Sequence, residues 1–101
     1  MPGPKPLCVT LSHKQRGLLE HLIRRQTSPQ RLVRRAQTII AAADGASNES
    51  IAVRFGLDRN TVRTWRYRWC LGSAALAAAE AAGDADKALR LRMESMLDDA
   101  P

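Results

Sequence analysis

Apolar residues recur at helical spacing along much of this chain, and the longest such stripe lies between residues 29 and 45. Its apolar positions share the period of one face of an α-helix: Leu32, Val33, Ala36, Ile39, Ile40 and Ala43. Pro29 suits the first helical position, because its φ is already set and its missing N–H costs no intrahelical bond. Gly45 suits the end of the helix. We therefore predict the main core helix over this stretch.

A shorter apolar stripe precedes the main core helix. Ser12 and Gln15 have the spacing of a capping box, in which each side chain accepts a hydrogen bond from the other residue's backbone N–H. This predicts a first helix that runs to about Arg25. Its expected buried face is Leu18, Leu19, Leu22 and Ile23. Three prolines within the first six residues predict a flexible leader over residues 1–11.

Residues 47–69 predict two further helices joined by a tight turn. Ser47 and Asp58 are good N-caps, and Gly56 can end the first of these helices in a left-handed conformation without strain. Ala52 is small enough for two helices to cross closely beside it. The second helix then carries a buried stripe made of Val62, Trp65 and Trp69. This is the pattern of a helix-turn-helix. With the helix from Pro29 it predicts an all-α, homeodomain-like bundle, with the Ser12 helix as an extra N-terminal element.

The outward face of the second helix is polar and basic, as expected for contact with a DNA duplex. Arg can pair with guanine and Asn with adenine at the base edges of the major groove. We therefore predict four base-contacting residues: Arg59, Asn60, Arg63 and Thr64. We predict five phosphate-contacting residues: Ser47, Arg66, Tyr67, Arg68 and Arg35. Arg35 points outward from the main core helix together with Arg31 and Arg34, and a solvated basic face explains these three arginines equally well.

Residues 71–101 differ in character from the rest of the chain, being rich in alanine and poor in bulky side chains. They predict two more helices separated near Gly83, the second capped by Asp84. The apolar positions available for packing are few: Ala88, Leu89, Met93, Met96 and Leu97. We therefore divide the chain into the leader, a DNA-binding domain over residues 12–70, and a helical tail over residues 71–101. The tail is interpreted as a linker, a dimerisation arm or a segment that orders with a partner.

Charge separates the same two parts of the chain. Through Cys70 there are thirteen Lys or Arg residues against four acids, whereas the remaining residues carry three against six. A domain this basic attracts polyanions, so binding to DNA should weaken steeply with salt. With 101 residues there is little room for a catalytic cleft, and the two cysteines lack the spacing of a zinc site. We expect no metal, no cofactor, no membrane-spanning segment and a cytoplasmic protein.

The residues from Leu11 to Trp69 resemble the N-terminal region of bacterial insertion-sequence transposases of the six-thirty family, within the mariner-like superfamily. The resemblance rests on the stretch SPQRLVRRAQTIIAAADG, the reader SNESIAVRFGLDRNTVRTW and the basic end RYRW. It implies a paired- or homeodomain-like module that binds the terminal inverted repeats of the mobile element in the bacterial nucleoid. It also implies that the recognition helix meets DNA through Arg59, Asn60, Arg63 and Thr64.

The chain departs from that family in one respect. Such transposases cut DNA with three metal-holding carboxylates on a ribonuclease-H-like domain, and this sequence does not encode the strands of that domain. Asp98 and Asp99 lie in a short acidic terminus and are not expected to form such a site. We therefore expect no nuclease activity from this chain alone, with a homodimer or a separate catalytic chain as its protein partner.

Two other interpretations use the same residues. The helix-turn-helix serves equally well in a small dimeric transcriptional repressor, for which a palindromic target is expected. Alternatively, a basic helical module could dock an acidic protein and never touch nucleic acid. Asn60 and Thr64 among the arginines argue against this last interpretation, because docking by charge alone does not need them.

Overall fold

The computed structural model describes residues 9–98, and these residues form five α-helices and no strand. The helices are α1 (His13–Arg24), α2 (Gln30–Ala43), α3 (Asn48–Phe55), α4 (Arg59–Ala81) and α5 (Asp86–Leu97). The predicted all-α class is confirmed. Most of the predicted leader, including Cys8, lies outside the described residues, as does Asp99.

The first two helices begin and end close to the predicted positions. Gln15 N donates to Ser12 Oγ at 3.1 Å and Ser12 N donates to Gln15 Oε1 at 3.1 Å, which confirms the capping box. At the start of α2, Pro29 occupies the N-cap and Gln30 is the first helical residue, one position later than predicted. Gly45 follows the end of α2 with φ at +92°, so the predicted stop is confirmed.

The helix that starts at Arg59 is much longer than predicted. It continues without a break through Gly72 to Ala81. The helix expected to end near Trp69 and the helix expected after it are therefore a single helix. Gly72 lies where α5 crosses closely, since a Cβ added there would come within 2.8 Å of Met96 Cε. The turn near Gly83 is confirmed, but α5 is capped by Ala85 rather than Asp84. The predicted domain boundary at residue 70 therefore falls inside a helix.

α5 folds back and completes the hydrophobic core. It packs against α1, α2 and α4, and its buried face is Leu89, Met93 and Leu97, each at 1% exposure. These side chains belong to the same core cluster as Leu19 of α1 and Ile39 of α2. The segment predicted as a possible linker is thus part of one bundle with the helix-turn-helix, because its few large apolar residues recur every four positions on one helical face.

Charged side chains at the surface also join α5 to the N-terminal half of the chain. Lys14 Nζ lies 3.2 Å from Asp86 Oδ1, and Arg25 and Arg31 approach carboxylate oxygens of Glu94 and Asp98 at 3.8 and 3.4 Å. The acidic excess of the tail is therefore placed against basic residues of α1 and α2. Such exposed pairs add little stability, and the buried apolar face is what holds α5 in place.

Candidate nucleic-acid interface

The turn between α3 and α4 fixes how α4 leaves the bundle. Gly56 adopts the left-handed conformation with φ at +66°, and Leu57 N then donates to Ala52 O at 2.9 Å. At the other end of α3, Ser47 Oγ accepts from Ser50 N at 3.0 Å. Ser47 and Gly56 thus have the local structural roles predicted for them, since Ser47 caps the start of α3 and Gly56 allows the tight turn into α4.

One side of α4 anchors the helix in the core. Val62, Trp65 and Trp69 are all buried and lie on the face that packs against α2, α3 and α5. Their spacing keeps the opposite side of the first three turns turned away from the bundle. The core therefore determines which side chains of α4 are presented to solvent.

The four predicted base-contacting residues lie on this outward face, and all four are exposed: Arg59, Asn60, Arg63 and Thr64. Within residues 9–98, no hydrogen bond or ion pair holds the side-chain ends of Arg59, Asn60 or Arg63. Thr64 Oγ1 donates its proton to Asn60 O at 2.9 Å, so its methyl group and oxygen lone pairs remain for outside contacts. The face therefore offers two guanidinium groups and one amide as hydrogen-bonding groups.

The carboxylate that directly precedes α4 in the chain caps this helix. Asp58 Oδ2 accepts from Asn60 N at 3.2 Å, at the start of α4. Further along the helix, Tyr67 is 54% exposed and Arg68 is exposed. The outward face is thus strongly positive over its first two and a half turns, and an anion can approach it without meeting an uncommitted acid of α4.

Arg66 does not lie where we predicted it. The prediction that its side chain is at the surface is wrong, because Arg66 is 5% exposed and Nη2 donates to the carbonyl of Ala46, just before α3. On a helical wheel Arg66 lies at the edge of the polar face, where sequence alone cannot say whether another segment covers it. The loop before α3 covers it. We therefore withdraw Arg66 from the predicted phosphate contacts and assign it to the joint between α3 and α4.

Arg66→Ala is expected to lower the free energy of unfolding by about 1 to 3 kcal/mol, because the Ala46 carbonyl loses a charged donor in a partly buried place. Urea denaturation followed by circular dichroism measures this. Arg63→Ala is the matched control, since the same side chain is removed from an exposed position, and we expect a change within about 0.5 kcal/mol. Equal stability of the two variants would show that Arg66 does not hold the joint.

Two arginines lie against one tryptophan ring at the side of α4. The guanidinium carbon of Arg35 is 4.1 Å from the Trp65 ring centroid, and that of Arg68 is 4.9 Å away. Arg35 Nη1 also donates to Leu97 O at 2.8 Å, so the end of α5 holds this side chain in position. We predicted Arg35 and Arg68 from the sequence but missed this role of α5, which the spacing of Leu89, Met93 and Leu97 could have suggested.

The described residues contain no cluster of three His, Cys, Asp or Glu side chains that could hold a metal ion. A membrane-crossing helix is likewise not found among residues 9–98.

Comparison with protein families bears on this architecture. Residues 29–77 match the model of a homeodomain-like domain family. This segment has a homeodomain-like fold. It comprises α2, α3 and the first nineteen residues of α4, and it leaves α1 and α5 outside. Comparisons with curated proteins and with solved structures gave no match. In homeodomains, which are trihelical helix-turn-helix units, the third helix lies in the major groove of double-stranded DNA. α4 is the third helix of this trihelical segment.

Proposed function

We propose that this protein binds double-stranded DNA sequence-specifically, with the N-terminal half of α4 in the major groove. The observation that carries the proposal is the outward face of α4 in a homeodomain-like domain, where Arg59, Asn60 and Arg63 are exposed and hold no partner among residues 9–98. Arg and Asn are the side chains that read guanine and adenine in bidentate fashion. Tyr67 and Arg68 lie further along α4 and Ser47 caps the start of α3, and all three are exposed. These residues contact phosphates, which fix the register of the helix in the groove.

Selection of bound sites from a randomised duplex pool tests the proposal. The selected duplex and a scrambled duplex are then titrated by fluorescence anisotropy at several salt concentrations. We expect one enriched motif, bound more tightly than the scrambled duplex, with affinity that falls linearly with salt on logarithmic axes. Equal and weak binding to every duplex would overturn sequence-specific recognition and favour a basic module that docks an acidic protein.

Arg63→Ala is expected to weaken binding to the selected site by about 1 to 3 kcal/mol and to reduce its preference over the scrambled duplex. Arg63→Lys separates base reading from charge, because lysine keeps the positive charge but lacks the rigid planar fork with which arginine matches both guanine acceptors. The lysine variant should keep the wild-type affinity for the scrambled duplex and lose preference for the selected site. Wild-type preference in both variants would mean that Arg63 does not read a base.

The DNA target is the terminal inverted repeat of a mobile element, and the protein is the end-recognition part of a transposase. Support for this narrower proposal comes from the resemblance of residues 11–69 to the N-terminal region of six-thirty family transposases. Its protein partner is then the catalytic part of the transposase, and these 101 residues bind DNA without cutting it. Incubating the protein with a selected duplex and Mg²⁺ or Mn²⁺ should leave both strands intact.

The symmetry of the selected site decides between this target and a repressor's operator. A transposon end is asymmetric, so a single asymmetric motif supports the end-recognition role. A palindrome with half-sites spaced by one helical turn is the target expected of a dimeric helix-turn-helix repressor. Sedimentation of the protein with and without the selected duplex gives the stoichiometry that accompanies each outcome.

A further inference from the structure

A groove of about 390 Å³ runs between the N-terminal halves of α2 and α4. Three arginines of α2 form one wall, and residues of the α3–α4 turn and of α4 form the other. The residues that matter for its chemistry are Arg31, Arg34, Arg35, Leu57, Thr61 and Trp65. Three guanidinium groups in one groove of this size make a concavity suited to an anion.

The groove adjoins the outward face of α4. Thr61 lies about 60° or less around the helix from both Thr64 and Arg68, so the groove opens along the flank on which those two residues lie. Trp65 forms part of the wall and also carries Arg35 and Arg68 against its ring, at 4.1 and 4.9 Å. Positive charge therefore continues without interruption from α4 across the groove to α2.

The charge of the groove is only partly neutralised within the described chain. Arg31 pairs with Asp98 Oδ1 at 3.4 Å, at an exposed position, and Arg35 Nη1 donates to the Leu97 carbonyl. Both contacts come from the C-terminal end of α5, which borders the groove. Arg34 is exposed and has no ion pair or side-chain hydrogen bond within residues 9–98. A ligand with several negative charges along a chain would bind Arg34 first. It would then share Arg31 and Arg35 with their contacts at the end of α5.

We infer that this groove binds the phosphodiester backbone of the DNA strand that borders the major groove read by α4. The inference rests on the proposed function, because α4 must lie in the major groove for α2 to reach the adjacent backbone. Charge complementarity selects the occupant, since arginines pair well with phosphate oxygens. Because the groove adjoins the outward face of α4, the backbone that it binds belongs to the duplex that α4 reads. α2 thus contributes a second set of backbone contacts, which carry affinity but no sequence preference.

Arg34→Ala tests the groove, and Arg92→Ala is the matched control. Arg92 is also exposed, but it lines a different groove beside Gly72 and Ala75, and Gly72 lies about 14 Å further along α4 than Arg63. Anisotropy titrations of both variants use the selected and the scrambled duplex at several salt concentrations. Arg34→Ala should bind both duplexes about three- to tenfold more weakly, with a salt slope smaller by about one. Arg92→Ala should match the wild type.

The inference is overturned if Arg34→Ala has the affinity and salt slope of Arg92→Ala, or if it weakens binding to the selected duplex alone. Thermal melts of both variants accompany the titrations, and unchanged melting is expected because both arginines are exposed. A different result would reject the proposed function itself, namely that the wild-type protein enriches no motif. If the wild type prefers its motif and Arg34→Ala binds DNA as the wild type does, the groove is rejected and the proposed function stands.

Discussion

Trp69→Ala is expected to lower the free energy of unfolding by about 3 to 5 kcal/mol, the largest effect of any single substitution considered for this protein. Trp69 is 1% exposed and is the largest fully buried side chain among residues 9–98. Its indole N–H has no hydrogen-bond partner within these residues, so its contribution is packing rather than polar contact. Alanine would leave a cavity where α4 meets the core. Urea denaturation monitored by circular dichroism and by the remaining Trp65 fluorescence gives the value.

Tyr67→Ala is the matched control for this substitution. It removes an aromatic side chain two positions earlier on the same helix, but Tyr67 is 54% exposed. We expect its unfolding free energy to stay within about 0.5 kcal/mol of the wild type. The control also separates stability from function, because Tyr67→Ala should fold normally while weakening DNA binding. Similar losses of stability in the two variants would contradict the assignment of Trp69 to the core and Tyr67 to the surface.

Leu89→Ala is expected to destabilise the whole domain by about 2 to 5 kcal/mol, although Leu89 lies far from the helix-turn-helix in sequence. Leu89 is 1% exposed and packs in the cluster that also contains Trp65 and Trp69. If α5 is integral to this core, circular dichroism and tryptophan fluorescence should report one transition, shifted equally in both signals. Both tryptophans lie on α4, so their fluorescence shows whether a change in α5 also destabilises α4.

Leu91→Ala controls for the loss of a leucine from α5. Leu91 is 56% exposed and lies two positions further along, on the opposite side of the helix. Its removal should change stability by no more than about 0.5 kcal/mol. If Leu89→Ala and Leu91→Ala both unfold like the wild type, α5 is a detachable tail that does not support the fold.

The contribution of α5 reaches the candidate interface as well as the core. Its C-terminal end gives Arg35 a backbone acceptor and gives Arg31 a carboxylate, so two arginines of the α2–α4 groove are positioned by the segment with the acidic excess. The structure places the last turn of α5 at the edge of the groove, because the turn at Gly83 leads the chain back along α4.

Much of the local structure could be predicted from the sequence. The capping box at Ser12, the cap at Ser47 and the turn at Gly56 each depend on residues a few positions apart, and all three are found. The buried stripe of α4 follows from spacing alone for the same reason. The outward placement of Arg59, Asn60 and Arg63 then follows geometrically, since the two sides of a helix are fixed relative to each other. Their contact with bases stays a prediction.

Sequence alone therefore determined the all-α class, the helix-turn-helix and the polar face of α4, because caps, glycine conformation and helical period are local properties. Only the tertiary structure decided where α4 ends, whether α5 joins the core and whether Arg66 is buried. An alanine-rich stretch can continue a helix or begin a new one, and the difference depends on what packs against it. Arg66 at the margin of a face is likewise exposed or buried according to its neighbours, and the loop at Ala46 comes from a different part of the chain.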